Sequence, residues 1–246
     1  MLKYLKPTRP SAKHGFAFNL GWWIGRLIVW FLVLSVGITV LYKFVPVPIT
    51  ITMIADPNGF TKDWTPLSRI DRNMVSAVIA GEDAKFCSHQ GFDAEAIEQA
   101  IARNQRAKNN GSSKLRGGST ISQQTAKNVF LWQGWGWDRY ARKGLEVWFT
   151  FLIEHIWGKR RIMEVYLNVA ETGIGTYGAE AGAQRYFGHS AARLSPDEAS
   201  RMAAALPSPK KRAVKNPGGW LARHGNRIER RIGIVRRDGL DACVYQ

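Results

Sequence analysis

Cysteine is scarce in this sequence: two in 246 residues, Cys87 and Cys243. There is no CxxC pair and no Cys/His cluster at zinc-ligand spacing, so no zinc site is legible. The two cysteines are either unrelated thiols or, if the body of the chain lies outside the cytoplasm, a disulfide pair. A GxxxxGK[ST] phosphate loop is absent, no internal repeat appears, and strand-like alternation is rare. Acidic residues are also few, 19 Asp and Glu against 35 Lys and Arg, a formal charge of +16. Such a surplus calls for an acidic partner: nucleic acid, anionic lipid headgroups or a pyrophosphate substrate. A hydrophobic content of 45% excludes a disordered chain. The length suffices for one membrane anchor and one domain with its own core.

Residues 27–41 (LIVWFLVLSVGITVL) carry no charge. Extended from Gly21 to Tyr42, the stretch has about the twenty residues a spanning helix needs. Arg26 lies near one end, where a long cationic side chain can reach the headgroups, and Trp22, Trp23 and Tyr42 fall where an interfacial belt would lie. Lys3, Lys6, Arg9 and Lys13 precede the span with no acid among them; Lys43, Asp56 and Lys62 follow it. This asymmetry predicts a cytoplasmic N-terminus and a body on the outer side. Pro46 and Pro48, rather than a small-residue cleavage site, follow the apolar run, which favours an uncleaved anchor over a signal peptide. The expected organisation is a basic cytoplasmic tail over 1–20, an anchor over 21–42, an extended linker over 43–64 and a mainly α domain over 65–246.

Within that domain the helix signals are strong. Ser68 and Asp71 read as a capping box before an apolar face of Ile70, Met74, Val75, Val78 and Ile79, and that helix runs into Gly81-Glu82-Asp83. Asp93 is placed to cap a second helix, Ser119 a third through Phe130, and Asp138 a long one to about Trp157. A further helix covers 159–168. Ser195-Pro196-Asp197-Glu198 combines a cap, proline at the first helical position and glutamate three residues on. Pro207 closes that helix, and a basic helix follows the Asn216-Pro217-Gly218-Gly219 turn to about Arg237. The basic C-terminal region is suited to an anionic membrane surface.

Four stretches bear chemistry. In Glu82-Asp83-Ala84-Lys85-Phe86-Cys87-Ser88-His89, two acids stand at a helix C-terminus, where the dipole raises a carboxylate's pKa and suits it to general-base work. Adjacent acids are also common in solvated turns. Gly117-Gly118-Ser119-Thr120-Ile121-Ser122-Gln123-Gln124-Thr125-Ala126-Lys127-Asn128 leads paired glycines into a helix, where backbone N–H groups can meet an anion, or where they simply flank a cap. In Arg142-Lys143-Gly144-Leu145-Glu146, Arg142 and Glu146 are helical neighbours, by spacing alone a surface ion pair. Lys159-Arg160-Arg161 precedes the apolar Ile162, Met163, Val165 and Leu167.

In this order the four stretches resemble the peptidoglycan glycosyltransferases of family 51, whose pattern is EDxxFxxHxGxD, GGSTIxQQxxKN, RKxxE and KxxIxExYLN. A fifth block, from Tyr177-Gly178 to Asn216-Pro217, is also similar, so the resemblance covers roughly 65–220. It implies a lysozyme-like helical domain with a small membrane-associated jaw lobe at about 106–140, in which exposed aromatics of the 129–137 segment (VFLWQGWGW) dip into lipid. It implies lipid II, a disaccharide-pentapeptide on undecaprenyl pyrophosphate, as acceptor and a lipid-linked glycan strand as donor. Glu82 would be the general base on the acceptor 4-hydroxyl, and lipid pyrophosphate would leave with inversion. Glu146 is the second important glutamate, orienting basic residues or binding a cation. Lys127, Arg142 and Lys143, with Gly118, Ser119 and Thr120, would meet the leaving pyrophosphate. Asp83, Phe86, His89, Gln123, Gln124 and Asn128 would position sugar or shape the site. No all-protein metal site is expected; Mg²⁺ or Mn²⁺ at the pyrophosphate is compatible with phosphate chemistry.

A lysozyme-like lytic enzyme acting on finished wall is the main alternative, and it leaves the cationic motifs and the anchor without a purpose. A nucleic-acid binder rests on charge alone and conflicts with the outward topology. A non-catalytic scaffold would not need Glu82 and Glu146. Ser208-Pro209-Lys210-Lys211 matches S-x-x-K, but no K-T-G follows and the length leaves no room for a transpeptidase domain. Membrane lipids, and other wall-synthesis or division proteins, are the remaining expected partners.

Overall fold

A computed structural model describes residues 16–111, 117–134 and 136–245. The basic tail residues Lys3, Lys6, Arg9 and Lys13, Trp135 and part of the 106–118 loop lie outside the described residues. The first helix, α1, runs Phe16–Phe44, longer at both ends than the 21–42 expectation. Its Asn19–Phe44 portion has a mean hydropathy of 2.3 and is almost wholly uncovered by protein, long and apolar enough to cross a membrane.

Residues 43–64 are not a free linker. Val47 and Met53 are buried, Ile51–Ile54 forms a short helix (α2) capped by Thr50, and Thr61–Lys62 forms a strand (β1). That strand lies parallel to β3 (Thr176–Tyr177), which pairs antiparallel with β2 (Glu171–Gly173). Strands of two or three residues are too short to show alternation, which is why the sequence gives no sign of them. Buried Asp56 accepts from Tyr177 Oη at 2.9 Å and from Lys210 Nζ at 2.9 Å, fastening the segment to the domain.

The body is helical: α3 (Arg72–Glu82), α4 (Ala94–Asn109), α5 (Ile121–Phe130), α6 (Asp138–Ile156), α7 (Lys159–Val169), α8 (Ala179–Phe187), α9 (Pro196–Ala205), α10 (Gly219–Arg237) and α11 (Ala242–Tyr245). Helix α3 is the hub. Met74 to Ala80 are all buried, as expected of a helix packed on every side, with α9 and α10 against it. Its N-terminus falls one turn later than the capping-box reading: residues Leu67–Arg69 form a separate 3₁₀ turn, and Asp71 itself caps by accepting from Asn73 N. The Ser195 capping box and the Asp93 cap form as the sequence predicts.

Cys87 and Cys243 form a disulfide, tying the loop after α3 to α11. Fully buried Asp241 reinforces the same junction, accepting from Arg72 Nη2 at 2.8 Å and from Ser76 Oγ at 3.2 Å. Helix α1 packs against α6. Trp148 Nε1 donates to Ser35 Oγ at 3.1 Å, Trp157 Nε1 to Thr39 O at 2.7 Å, and Arg161 Nη2 to Tyr42 O at 2.8 Å. Part of the 129–137 segment faces inward: Val129 and Leu131 are buried and Phe130 stacks on Phe149 at 4.4 Å. Trp132 also packs on the core, its Nε1 donating to Asp138. Asp138 is therefore not the α6 cap. Among the described aromatics of this segment only Trp137 stands out, at 82% exposure.

Candidate active site

The C-terminus of α3, the N-terminus of α5 and the first turns of α6 converge on one cavity of about 710 Å³. Glu82, Asp83, Gly118, Ser119, Thr120, Gln123, Gln124, Lys127, Arg142, Lys143 and Glu146 all line it. Phe86, His89 and Asn128 do not. Phe86 is fully buried beneath Lys159, whose Nζ lies 4.6 Å from its ring centroid, and it belongs to the wall rather than the binding surface.

Asp83 joins two helices. Its Oδ2 accepts from Ile121 N, the first amide of α5, at 3.0 Å, and both its oxygens lie 3.0 Å from His89 Nε2. His89 Nδ1 accepts from Gly91 N at 3.1 Å, so the neutral ring carries its proton on Nε2 and donates it to Asp83. Asp83 and His89 thereby hold α3 and α5 in register, and the sugar-contact reading of His89 becomes a supporting one. Gly91 has φ +88°, and a Cβ there would lie 2.7 Å from Thr150 Cγ2, so only glycine fits. Thr120, not Ser119, caps α5, through a full capping box with Gln123, and its hydroxyl donates to Gly91 O at 2.6 Å. Ser119 is left exposed on the cavity rim, 3.5 Å from Lys143 Nζ.

Glu82 sits at the α3 C-terminus with Oε2 accepting from Gln124 Nε2 at 2.8 Å. Gln124 Oε1 in turn accepts from the buried Tyr166 hydroxyl at 3.2 Å. Desolvation raises the Glu82 pKa above the usual carboxylate value, against the pull of the Gln124 hydrogen bond and the charges of Arg212 and Lys127. A carboxylate short of solvent, held by one amide and facing a cavity, is equipped to accept a proton.

The other half of the cavity is cationic. Buried Glu146 takes Arg142 Nη1 on Oε2 at 2.8 Å and Lys143 Nζ on Oε1. Lys127 forms no ion pair among the described residues, and burial lowers its pKa despite the attraction of Glu146. Arg142 Nε is buried without a partner, beside Gly134, where a Cβ would approach to 2.7 Å. Both Glu146 oxygens are already engaged by Arg142 and Lys143, and among the described residues no cluster of His, Cys, Asp and Glu is placed to hold a metal ion. Of the two roles read for Glu146, orienting Arg142 and Lys143 is the one the contacts support.

Two residues here escaped the sequence reading. Tyr166, within the fourth motif, supports Gln124, and Arg212, from the loop before α10, exerts its charge on Glu82. Neither lies close in sequence to its partner, so spacing carried no signal.

Residues 50–232 match the family model described as Transglycosylase. Among similar proteins is the biosynthetic peptidoglycan transglycosylase of Caulobacter vibrioides, 51% identical over 224 residues, covering 89% of this chain and 94% of that one. The protein of the same name from Rhodospirillum centenum is 46% identical over 215 residues, 86% and 90% of the two chains. That from Bdellovibrio bacteriovorus is 45% identical over 231 residues, 90% and 89%. With three-quarters of its length matched by the family model and relatives aligned nearly end to end, the chain belongs to the transglycosylase family.

Proposed function

We propose that the protein is a peptidoglycan glycosyltransferase that polymerises lipid II into linear glycan strands for the cell wall. The observation that carries this reading is the division of one cavity into a proton-accepting half and a cationic half. Glu82 removes the proton from the acceptor 4-hydroxyl as that oxygen attacks the donor anomeric carbon. The C–O bond to the lipid pyrophosphate breaks on the opposite face, so configuration inverts in one displacement. The leaving group departs as an anion and needs positive charge more than an acid. Lys127, Arg142 and Lys143 supply it, the last two aimed by Glu146, while Gly118 and Ser119 open the cavity wall to it. Gln123 closes the Thr120 cap, Gln124 aims Glu82, and Asn128, half-buried beside Lys127, shapes the helix that carries them. Lytic cleavage of finished wall would leave the cationic half unused, and the relatives carry the name biosynthetic.

The apolar α1 is compatible with a single-pass anchor. The finer reading is an N-terminus in the cytoplasm and a periplasmic domain on the inner membrane. The charge asymmetry supports it, and so does the Cys87–Cys243 disulfide, which belongs in an oxidising compartment. Membrane lipids then surround α1 and the exposed Trp137 and Tyr140. A divalent ion, if the reaction uses one, would arrive with the pyrophosphate. Partners among wall-synthesis or division proteins remain a proposal resting on the family alone.

The test is polymerisation of lipid II by the full-length protein in liposomes, wild type against Glu82→Gln. Polymer from the wild type and at least a hundredfold less from the variant is the expected result, in line with general-base effects of about 10²–10⁴. Shortening of purified peptidoglycan without polymer formation would reverse the reading.

A further inference from the structure

The active cavity has a smaller neighbour. Gly81 lines the cavity and also a hollow of about 240 Å³ walled by Ala80, His224, Arg227, Ile228 and Arg231. Helix α10 reaches this place because Gly81 has no side chain: a Cβ there would stand 2.9 Å from Ile228 Cδ1. Trp220, His224, Arg227 and Arg231 recur at intervals of four, three and four, so they align along one side of α10. Trp220 stacks on His224 with ring centroids 4.8 Å apart, and Arg212 Cζ lies 4.8 Å from the Trp220 centroid. Among the described residues none of Arg212, Arg227 and Arg231 is in an ion pair. Glu229, the one carboxylate of α10, lies half a turn away from this side. At the head of the row, the charge of Arg212 acts both on Glu82 in the cavity and on His224.

Guanidinium forks without a carboxylate of their own form a receptor for oxyanions, and an exposed indole beside them suits the apolar and sugar portions of the same ligand. We propose that the row Trp220–His224–Arg227–Arg231, headed by Arg212, is a docking track for the carboxylate-bearing peptide stem of the glycan substrate. The proposal rests on the polymerase reading and names a part of the substrate that the cavity does not hold. An anionic membrane surface offers similar charge, but position favours the stem. The hollow walled by His224, Arg227 and Arg231 shares Gly81 with the cavity, and α10 lies against α3 and α9, whereas α1 packs against α6.

His224 is the probe. Burial and the charges of Arg227, Arg212 and Arg231 hold its pKa below the usual histidine value, and a carboxylate arriving among them would raise it. Full-length protein in detergent is titrated by NMR, with His224→Gln assigning the imidazole signal. A water-soluble disaccharide-pentapeptide is expected to raise the His224 pKa, the same disaccharide without peptide to leave it, and Arg227→Gln/Arg231→Gln to abolish the response. In polymerisation, that double variant is expected to raise KM for lipid II by about tenfold with kcat little changed. Its KM for a lipid-linked disaccharide lacking the peptide should match that of the wild type. An equal response to the peptide-free disaccharide, an unchanged KM for lipid II, or a response only to anionic vesicles would overturn the track. If wild type polymerises neither substrate, the polymerase reading fails instead, and the His224 titration still decides whether the row binds stem carboxylates.

Discussion

Glu82 stands between two opposing influences, and both can be measured. Loss of solvent raises its pKa; Gln124, Arg212 and Lys127 pull it back. In its proposed role as base Glu82 works only when ionised, so activity is expected above the folded pKa and is lost as pH falls through it. Because that value is raised, the acid limb of kcat/KM is expected at higher pH than for an exposed glutamate. Gln124→Leu removes a hydrogen bond to the ionised form and should move the limb to still higher pH; a limb at lower pH would contradict this account. Tyr166→Phe leaves Gln124 Oε1 without its donor and should cost about 1 kcal/mol in unfolding free energy, with a smaller shift of the limb in the same direction. The same raised pKa bears on folding. A carboxyl that ionises less readily when folded lowers stability as pH rises from the unfolded value through the folded one. Glu82→Gln, inactive, is therefore expected to melt above wild type at neutral pH and to lose that advantage below the unfolded pKa, as differential scanning calorimetry would record.

At the scale of elements, the site is a joint. The last turn of α3 and the first of α5 meet through one carboxylate, Asp83, which serves an amide of one helix and the histidine of the intervening loop. Asp83→Ala should leave Ile121 N and His89 Nε2 unpaired in the interior. Each would cost about 1–3 kcal/mol, so chemical denaturation should show a loss of several kcal/mol together with lowered activity. The helices themselves were legible in the sequence, since caps at Asp93 and Ser195 and apolar periodicity over 70–79 are local signals. So were the cavity residues of the first three motifs, whereas the fourth, 159–168, contributes none to the lining. Errors of one turn or one residue arose where two capping residues compete: Ser68 against Asp71, and Ser119 against Thr120, which wins because its hydroxyl also reaches Gly91 O. What could not be read was non-local. The two-residue strands that fasten 43–64, the inward turn of Phe130 and Trp132, and the approach of Tyr166 and Arg212 to Glu82 depend on chain segments far apart in sequence.

For the whole molecule, two fastenings meet at the first turn of α7, where Arg160 bonds Val244 O of α11 and Arg161 bonds Tyr42 O of α1. In the first, the disulfide between residues 156 positions apart closes most of the domain into a single loop. Reduction, or Cys87→Ser, is expected to lower stability by about 2–5 kcal/mol, read as a fall in Tm relative to the oxidised wild type. In the second fastening, Trp148, Trp157 and Arg161 grip the last turns of α1. Arg161 bonds the Tyr42 carbonyl, which the end of a helix leaves open, so the grip also finishes α1.

That grip has a kinetic consequence. With α1 in a bilayer, the cavity cannot tumble or rise; it is held at one height, sweeping a plane. A substrate tethered to the same bilayer meets it by lateral diffusion, a search in two dimensions. The quantity that sets the rate is then the number of lipid-linked molecules per area of membrane. Diluting vesicles in buffer should leave turnover unchanged, whereas diluting the substrate with inert lipid should slow it in proportion.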